Sequence, residues 1–455
     1  MFRVRSLILA TVAAALLLST GCWSGGTLRK AESPTKAGLN VKDLIDIPTQ
    51  MEADELSRMN DFVKVAGELQ QRQRAEFAAE NVGKPSRPPR HVLCLSGGGS
   101  FGAFSAGVLC GWTQSGTRPD FDVVTGISTG SLLAPFAFLG PKYDAQMKRF
   151  FTTVHKRDIY RLQLLTFLWK PSFATNAPMG KLMEEIVTPE MISEIAVEHT
   201  RGRRLYIGST ELEGKRFIVW DIGGIACRGK GESDRKLILQ ILLGSSAIPG
   251  FFPPSEIEVN VDGKAYTEKH GDGGVSQAIF FRPPFVPPEH RANLKAHNLA
   301  DVHIWNIVAG KLYADPEVQK PKALDLAGTS VSTIIYAQTR GDLQRIFLMS
   351  LLSGMDYNLT SIPVEFDAPK SATDFNPEPM TKMFNEGVRL SCSGNAWRKL
   401  PPGALPGETI QERAGTCLIN LPQGAAQSPA SGGGSILPLA SGPLPIPSLP
   451  GNTGK

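Results

Sequence analysis

An apolar segment of strand length, residues 92–96, runs through a glycine-rich turn directly into an apolar segment compatible with a helix. The turn, residues 97–102, has the sequence G-G-G-S-F-G. A strand-to-helix turn built of glycine leaves backbone N–H groups uncovered at the start of a helix, where they attract negative charge. We interpret the turn as an anion-binding loop; a tight turn without a ligand is the alternative.

A second strand-to-helix turn, residues 126–130, has the sequence G-x-S-x-G with Ser128 at its centre. In such an elbow the serine lies on a sharp, strained turn, and side chains at the two glycine positions would clash with the strand and the helix. The start of the helix also favours the anion that develops during acyl transfer. Ser128 is therefore a candidate nucleophile.

The glycine loop permits a second interpretation, because Gly97, Gly99 and Gly102 also satisfy the dinucleotide-binding pattern G-x-G-x-x-G. That site needs an acidic residue at the carboxyl end of the second strand. Asp120 and Asp122 lie at a suitable distance, but they precede their strand and are expected at the opposite edge of the sheet. Dinucleotide binding is therefore disfavoured.

A third motif, Asp272-Gly273-Gly274, would on its own be a simple turn. It follows residues 245–254, S-S-A-I-P-G-F-F-P-P. A glycine loop, an elbow, an S-A-x-P-x-F-F-P-P segment and a D-G-G turn in this order resemble the patatin-like phospholipase family, over roughly residues 91–282. The resemblance implies an α/β protein with a three-layer α/β/α fold, a mainly parallel central sheet and hydrolysis of lipid acyl esters.

The resemblance also implies the roles of individual residues. Ser128 would be the nucleophile and Asp272 the general base of a dyad without histidine. Gly98 and Gly99 would donate backbone N–H groups to the oxyanion, with Thr129 as a third donor. The remaining motif glycines are Gly97, Gly102, Gly126, Gly130, Gly273 and Gly274. The reaction would pass through an acyl-Ser128 intermediate and needs no cofactor or metal.

Two positions depart from the family pattern. Phe101 stands where family members often carry Arg or Lys, which puts electrostatic help to the oxyanion in doubt. His270 precedes Asp272 by two residues, so it would either approach the site or lie in a surface turn.

Two other functions remain open. A Ser-Asp-His triad would recruit a later histidine, namely His290, His297 or His303. A binding or scaffold protein would keep the pocket without turnover.

The N-terminus has the layout of a secretory signal peptide, with Arg3 and Arg5 before an apolar run at 7–18. The run is shorter than the roughly 20 residues that span a bilayer. Residues 19–22 resemble a bacterial lipobox and end at Cys22, which predicts an exported protein anchored by a lipid on that cysteine. Cleavage without lipidation is the alternative.

The chain divides into four predicted segments: a signal peptide at 1–22, a tether and helix at 23–90, a patatin-like catalytic domain at 91–398 and an extension at 399–455. The extension is rich in Pro, Gly, Ala and Ser and is expected to be disordered from about residue 421. The 48 Lys+Arg against 43 Asp+Glu form no long run of like charge, which speaks against nucleic-acid binding. Membrane lipids are the expected partners, and no protein partner is indicated.

Cysteines are expected in two settings. Cys94 and Cys110 lie in apolar runs and are expected to be buried free thiols. Cys392 and Cys417 lie in a Gly/Pro-rich region and are a possible disulfide of an exported protein. No sequence spacing indicates a zinc site.

Several apolar stretches could line an acyl-chain groove or belong to an ordinary core. They are residues 136–139, 162–169 and 280–281. A further stretch, residues 346–352, is predicted to be a buried helix.

Overall fold

The computed structural model describes residues 50–82, 88–162, 172, 174–282, 299–315, 323–405 and 408. All of them belong to the first of two units of the chain, which ends at Thr409. No helix among these residues is long and apolar enough to cross a bilayer.

An eight-stranded sheet forms the centre of this unit, with the strand order β10-β9-β1-β2-β5-β8-β7 and β6 paired to β5. The first five strands of that order are parallel, and β6, β7 and β8 are antiparallel to their neighbours. A separate two-stranded sheet pairs β3 with β4. The strands are β1 (Arg90–Leu95), β2 (Val123–Ile127), β3 (Arg161–Leu162), β4 (Ala174–Thr175), β5 (Arg204–Glu211), β6 (Arg216–Asp221), β7 (Ser255–Val261), β8 (Lys264–Asp272), β9 (Val302–Ile307) and β10 (Asp356–Thr360).

Helices cover both faces of the large sheet. Alternate residues of β1 enter two separate hydrophobic cores, one on each face of the sheet. Leu93 and Leu95 belong to one core, and Val92 and Cys94 belong to the other. The helices are α1 (Gln50–Glu80), α2 (Gly102–Gln114), α3 (Thr129–Leu139), α4 (Asp144–Thr153), α5 (Lys156–Ile159), α6 (Ala177–Ile186), α7 (Pro189–Thr200), α8 (Ile222–Ala226), α9 (Glu232–Ser245), α10 (Ala323–Ser353) and α11 (Pro377–Cys392). The predicted α/β fold, with helices flanking a mainly parallel sheet, is confirmed.

The carboxyl ends of β1 and β2 meet at one edge of the sheet, because the two strands are parallel neighbours. The glycine loop and the elbow therefore lie side by side at this edge. Asp122 precedes β2 and its carboxylate accepts the His91 N–H at the amino end of β1, with the N and O atoms 2.7 Å apart. This position at the opposite edge agrees with the argument against a dinucleotide site.

Hydrogen-bond register brings the end of β8 beside the end of β2. Strand β5 pairs with β2 through residues 204–208 and with β6 through 206–211. Because these stretches overlap, β2 and β6 must occupy opposite edges of β5. Strand β8 pairs with residues 209–211, so it occupies the β2 edge just beyond the point where β2 ends. Asp272 closes β8 and thus comes next to Ser128.

Close helix packing joins α11 to the rest of the domain. A Cβ on Gly107 or Gly111 of α2 would collide with the backbone of α11, and one on Gly387 of α11 would collide with the backbone of α2. Glycines at these three positions let the two helices approach more closely than side chains would permit.

Helix α1 lies where the sequence predicts a helix, and polar contacts bind it to β10. Arg74 pairs with Asp356 at 3.1 Å, and Gln70 donates to the Met355 carbonyl. Asp356 also accepts from Lys399, which follows the predicted domain boundary at 398. Packed residues thus continue past that boundary.

The cysteines fall into two groups. Cys94 and Cys110 are buried free thiols, and burial raises the pKa of each to about 12. Cys392 is exposed at the end of α11. Cys417 lies outside the described residues, so the disulfide stays a prediction.

The predicted burial of residues 346–352 is only half right. These residues belong to α10, where Ile346 and Phe347 are buried, but Leu348 and Leu352 are 47% and 45% exposed. The helix covers the sheet with one face only, which an unbroken apolar run does not reveal.

Several predictions fall on residues outside the described part of the chain. They are the signal peptide, Cys22, the tether, residues 163–169, His290, His297 and the tail from residue 410.

Candidate active site

Ser128 lies at the turn between β2 and α3 in a strained conformation, with φ 52° and ψ −123°. A positive φ is costly for a residue with a side chain and persists only where the surroundings enforce it. The two flanking glycines are required sterically, since a Cβ on Gly126 would meet the backbone of Gly130 and a Cβ on Gly130 would meet the carbonyl of Leu95. These are the features expected of a nucleophile elbow.

Two buried serines hold the elbow. The Ser128 N–H donates to Ser245 Oγ at 3.0 Å, and Ser245 Oγ donates to the carbonyl of Gly208 on β5 at 2.6 Å. Ser131 Oγ donates to the Ser128 carbonyl, also at 2.6 Å. Ser245 comes from the S-S-A-I-P segment at the end of α9, which explains why that segment accompanies the elbow.

Asp272 is buried and oriented by its backbone and its side chain. Its carboxylate accepts the Gly274 N–H at 2.7 Å, its own N–H donates to the Ala247 carbonyl, and its carbonyl accepts from Thr210 Oγ1. Burial raises the pKa of Asp272 to about 6, against the opposing effect of hydrogen bonds from the Ser128 side chain and from Gly274. The Ser128 side chain is therefore close enough to Asp272 to affect the ionisation of its carboxyl.

The glycine loop is clamped between two backbone segments. A Cβ on Gly98 would collide with Ala309, which follows β9. Gly99 has φ 54°, and a Cβ there would collide with Ala372, whose carbonyl also accepts the Ser100 N–H at 2.8 Å. Glycine is the only residue that fits these two positions without movement of the backbone.

The loop leaves backbone donors free beside the nucleophile. A Cβ on Gly97 would lie 2.9 Å from the Ser128 Cβ, so the loop touches the elbow. Within the described residues, the N–H groups of Gly98, Gly99 and Thr129 make no hydrogen bond. All three predicted donors are thus available for an anion near Ser128.

Phe101 is partly buried against the hydrophobic core, and its N–H donates to the Gly98 carbonyl to close the turn. The loop therefore keeps its form without the cation that family members often carry there.

His270 is neither at the surface nor in contact with Ser128. It is fully buried on β8, with Nδ1 2.9 Å from Ser209 Oγ and Nε2 3.1 Å from a Glu268 carboxylate oxygen. Because Trp220 Nε1 donates to Ser209 Oγ, that hydroxyl can donate to His270 Nδ1, and Nε2 then carries the proton. Burial lowers the pKa of His270, in keeping with a neutral structural ring.

The alternative triad finds no support from His303. This residue lies on β9 level with His91, at the amino edge of the sheet, and its Nδ1 is 3.0 Å from Asp356. Ser128 and Asp272 lie at the other edge.

A narrow apolar pocket opens beside Ser128, with an empty volume of about 530 Å³ that includes space open to solvent. Gly99, Thr129 and Ser246 also line it. Its apolar walls are Leu132, Phe150, Phe151, Val154, Ile159, Met179, Ile248, Phe252, Phe375 and Met380.

Sequence reasoning missed most of these walls. Residues 136–139 and Phe280 belong to the cores instead, while Phe150 and Phe151 come from the amphipathic helix α4. Phe375 and Met380 come from the α11 region, long after the recognised motifs. The apolar face of α4 is the sequence signal that could have identified Phe150 and Phe151.

The described residues contain no group of three or more His, Cys, Asp or Glu side chains that could hold a metal ion.

We expect Ser245→Ala to lower the free energy of unfolding by about 1–3 kcal/mol, because it leaves the buried Ser128 N–H without an acceptor. Chemical denaturation measures the change. Ser246→Ala is the matched control, since the neighbouring buried hydroxyl has no partner and its removal should be nearly neutral. Equal losses for the two variants would contradict the role of Ser245.

Comparison with known proteins agrees with this geometry. The model of the patatin-like phospholipase family matches residues 93–285. The uncharacterized protein YjjU of Escherichia coli (strain K12) is 26% identical over 260 residues, which cover 55% of this chain and 61% of YjjU. The solved structure of VipD from Legionella pneumophila shares 11% identity over 72% of each chain, with a TM-score of 0.35. The chain therefore contains a patatin-like phospholipase domain at residues 93–285.

Proposed function

We propose that the protein is a serine acyl hydrolase that cleaves acyl esters of membrane lipids with a Ser128–Asp272 dyad. The observation that carries this proposal is the placement of a serine on a strained elbow beside the strand that ends in a buried carboxyl, Asp272, whose pKa is raised to about 6. The matched family is one of phospholipases, and the pocket beside Ser128 is lined by apolar side chains suited to an acyl chain.

Acylation begins when Ser128 Oγ attacks the ester carbonyl and its proton moves to Asp272. The negative charge on the carbonyl oxygen meets the free N–H groups of Gly98, Gly99 and Thr129. The tetrahedral intermediate then expels the lipid alcohol, which takes the proton from Asp272. An acyl-Ser128 ester remains.

Deacylation repeats these steps with water. Asp272 accepts a proton from the water that attacks the acyl ester, and returns it to Ser128 Oγ as the fatty acid leaves. A general base works best when its pKa lies near the working pH, and burial brings Asp272 towards that range. Because Phe101 occupies the position where family members often carry Arg or Lys, stabilisation of the oxyanion depends on backbone donors.

We further propose that the protein is exported and held at a membrane by a lipid on Cys22. The supporting observations are the charged and apolar parts of the N-terminal segment and the lipobox-like residues before Cys22. Mass spectrometry of the mature N-terminus tests this directly. A terminus other than an acylated Cys22 would refute it.

Product analysis tests the enzymatic proposal. The protein is incubated with vesicles of host membrane lipids, and mass spectrometry identifies the products. We expect free fatty acids; acyl groups on another acceptor would instead indicate acyl transfer. In parallel, a fluorophosphonate probe should label Ser128, and folded protein that neither takes the label nor releases products would favour a non-catalytic lipid-binding protein.

A further inference from the structure

Helix α10 is much longer than the sheet that it covers. Its C-terminal end lies at the amino edge of the sheet, where the Ser353 carbonyl accepts the Leu299 N–H just before β9. Farther up the helix, the Asp342 carboxylate accepts the Ala278 N–H at 2.7 Å, and the Ala278 carbonyl accepts the Gly97 N–H at 3.3 Å. At Asp342 the helix has thus already reached the level of the catalytic loop.

The residues before Asp342 extend beyond the catalytic edge. From residue 342 back to 326 an α-helix covers about 24 Å at a rise of 1.5 Å per residue. Its aliphatic side chains there are unusually exposed, with Val331 at 57%, Ile334 at 63% and Ile335 at 49%. These three residues share one helix face, at spacings of three and four.

This projecting segment has no charged side chain from residue 326 to 339. Several of its hydroxyl groups are bonded inside the helix. Ser330, Thr333 and Thr339 each donate to the carbonyl four residues earlier, at 2.7–2.9 Å. A hydroxyl that already has a partner loses less on leaving water, so the segment is suited to an environment poor in water.

We propose that residues 326–338 of α10 insert into the surface of a lipid bilayer and hold the catalytic edge against it. The proposal rests on the proposed function, since it identifies the substrate as lipid presented in a bilayer rather than as a dissolved molecule. The segment is shorter than the roughly 20 residues that span a bilayer, so it would lie in the interface.

The chemistry of the segment identifies the kind of surface. Because residues 326–338 carry no basic side chain, this segment gains nothing from anionic headgroups, and its attraction to a bilayer is not screened by salt. Insertion depends instead on gaps between headgroups that expose acyl chains, which are more frequent with unsaturated lipids and high curvature. The favoured surface is therefore a loosely packed, electrically neutral bilayer.

Vesicle binding tests the inference. The full-length protein carries Ser128→Ala to preserve the lipid and Cys22→Ser to remove any acyl anchor. It is compared with the same protein carrying Val331→Ser, Ile334→Ser and Ile335→Ser. On small vesicles of dioleoylphosphatidylcholine, we expect the triple substitution to weaken partitioning by about 30-fold or more, since it removes three large aliphatic side chains. The protein with the unsubstituted helix should bind these vesicles equally well at low salt and at 0.5 M NaCl.

A matched control replaces three exposed residues elsewhere, with Val65→Ser, Val197→Ser and Tyr266→Ser, and should bind like the parent. Equal binding by the triple variant and the parent would overturn the inference, as would loss of parental binding at high salt. A change in oligomeric state caused by the triple substitution would show that the face joins copies of the chain instead.

Hydrolysis of a soluble short-chain ester separates this inference from the proposed function. With Ser128 restored, the triple variant should cleave that ester at the parental rate while losing activity on vesicles. If the parent does not cleave the soluble ester, the proposed function fails, whereas the binding result stands by itself.

Discussion

Ser128→Ala should lower kcat/KM for acyl-ester hydrolysis by at least about 10⁴-fold, because the attacking oxygen is lost and the dyad acts as a unit. Initial rates on a soluble ester measure the effect without interference from vesicle binding. Ser105→Ala is a suitable control, since it removes a buried hydroxyl on α2 that has no partner and does not line the pocket beside Ser128. The control should keep the parental rate.

Ser128→Gly adds a second measurement at the same position. It should be equally inactive, but more stable than Ser128→Ala by about 1 kcal/mol, because glycine adopts φ 52° at little cost. An active Ser128→Ala protein would refute the dyad, and a Gly variant no more stable than the Ala variant would show that the elbow is unstrained.

Asp272→Asn should also abolish hydrolysis, because an amide cannot accept the proton from Ser128. The parent should lose activity as the pH falls through about 6, where the carboxylate becomes protonated. A pH profile of kcat/KM measures this. A parental rate that stays constant from pH 8 to pH 4 would contradict the role of Asp272 as the base.

The same substitution should stabilise the fold at alkaline pH. The folded-state pKa of Asp272 is raised from 3.8 to about 6, so the parent loses stability as the pH rises from 3.8 through about 6, where the unfolded chain is ionised and the folded carboxyl is still protonated. At 1.36 kcal/mol per unit, Asp272→Asn should gain about 3 kcal/mol at pH 8 and lose this advantage at pH values below 3.8. Urea unfolding of both proteins at pH 8 and at a pH below 3.8 measures the difference in their free energies of unfolding. If Asp272→Asn is more stable by the same amount at both pH values, ionisation of Asp272 is not the cause.

The parts of the site that follow from local sequence could be predicted. Gly126 and Gly130 are sterically required by an elbow formed by neighbouring residues, and Gly99 is required by a turn with positive φ. The spacing of these glycines in the sequence therefore predicts the local backbone geometry. Asp272 is 144 residues from Ser128. Its role came from the resemblance, whereas its position depends on the order in which β2 and β8 share one edge of β5, which no sequence pattern shows.

The parts built by distant packing could not be predicted. Ala309 and Ala372 confine the glycine loop through backbone atoms. A contact made by backbone atoms does not restrict which residue type occurs at that position, so the sequence does not reveal it. His270 illustrates the same difficulty, because its neutral, buried state depends on Ser209 and Trp220 from other strands. Sequence alone left it between the active site and the surface.

The clamp on the glycine loop bears on how short an active chain could be. The family match ends at residue 285, yet Ala309, Ala372 and Met380 lie beyond it and contact the loop or form a pocket wall. A fragment that ends at residue 285 would contain every catalytic group. It would lack the residues that hold the glycine loop in place and complete the pocket wall. A change after residue 285 that moves the backbone at Ala309 or Ala372 should therefore disturb the glycine loop, although it alters no catalytic group.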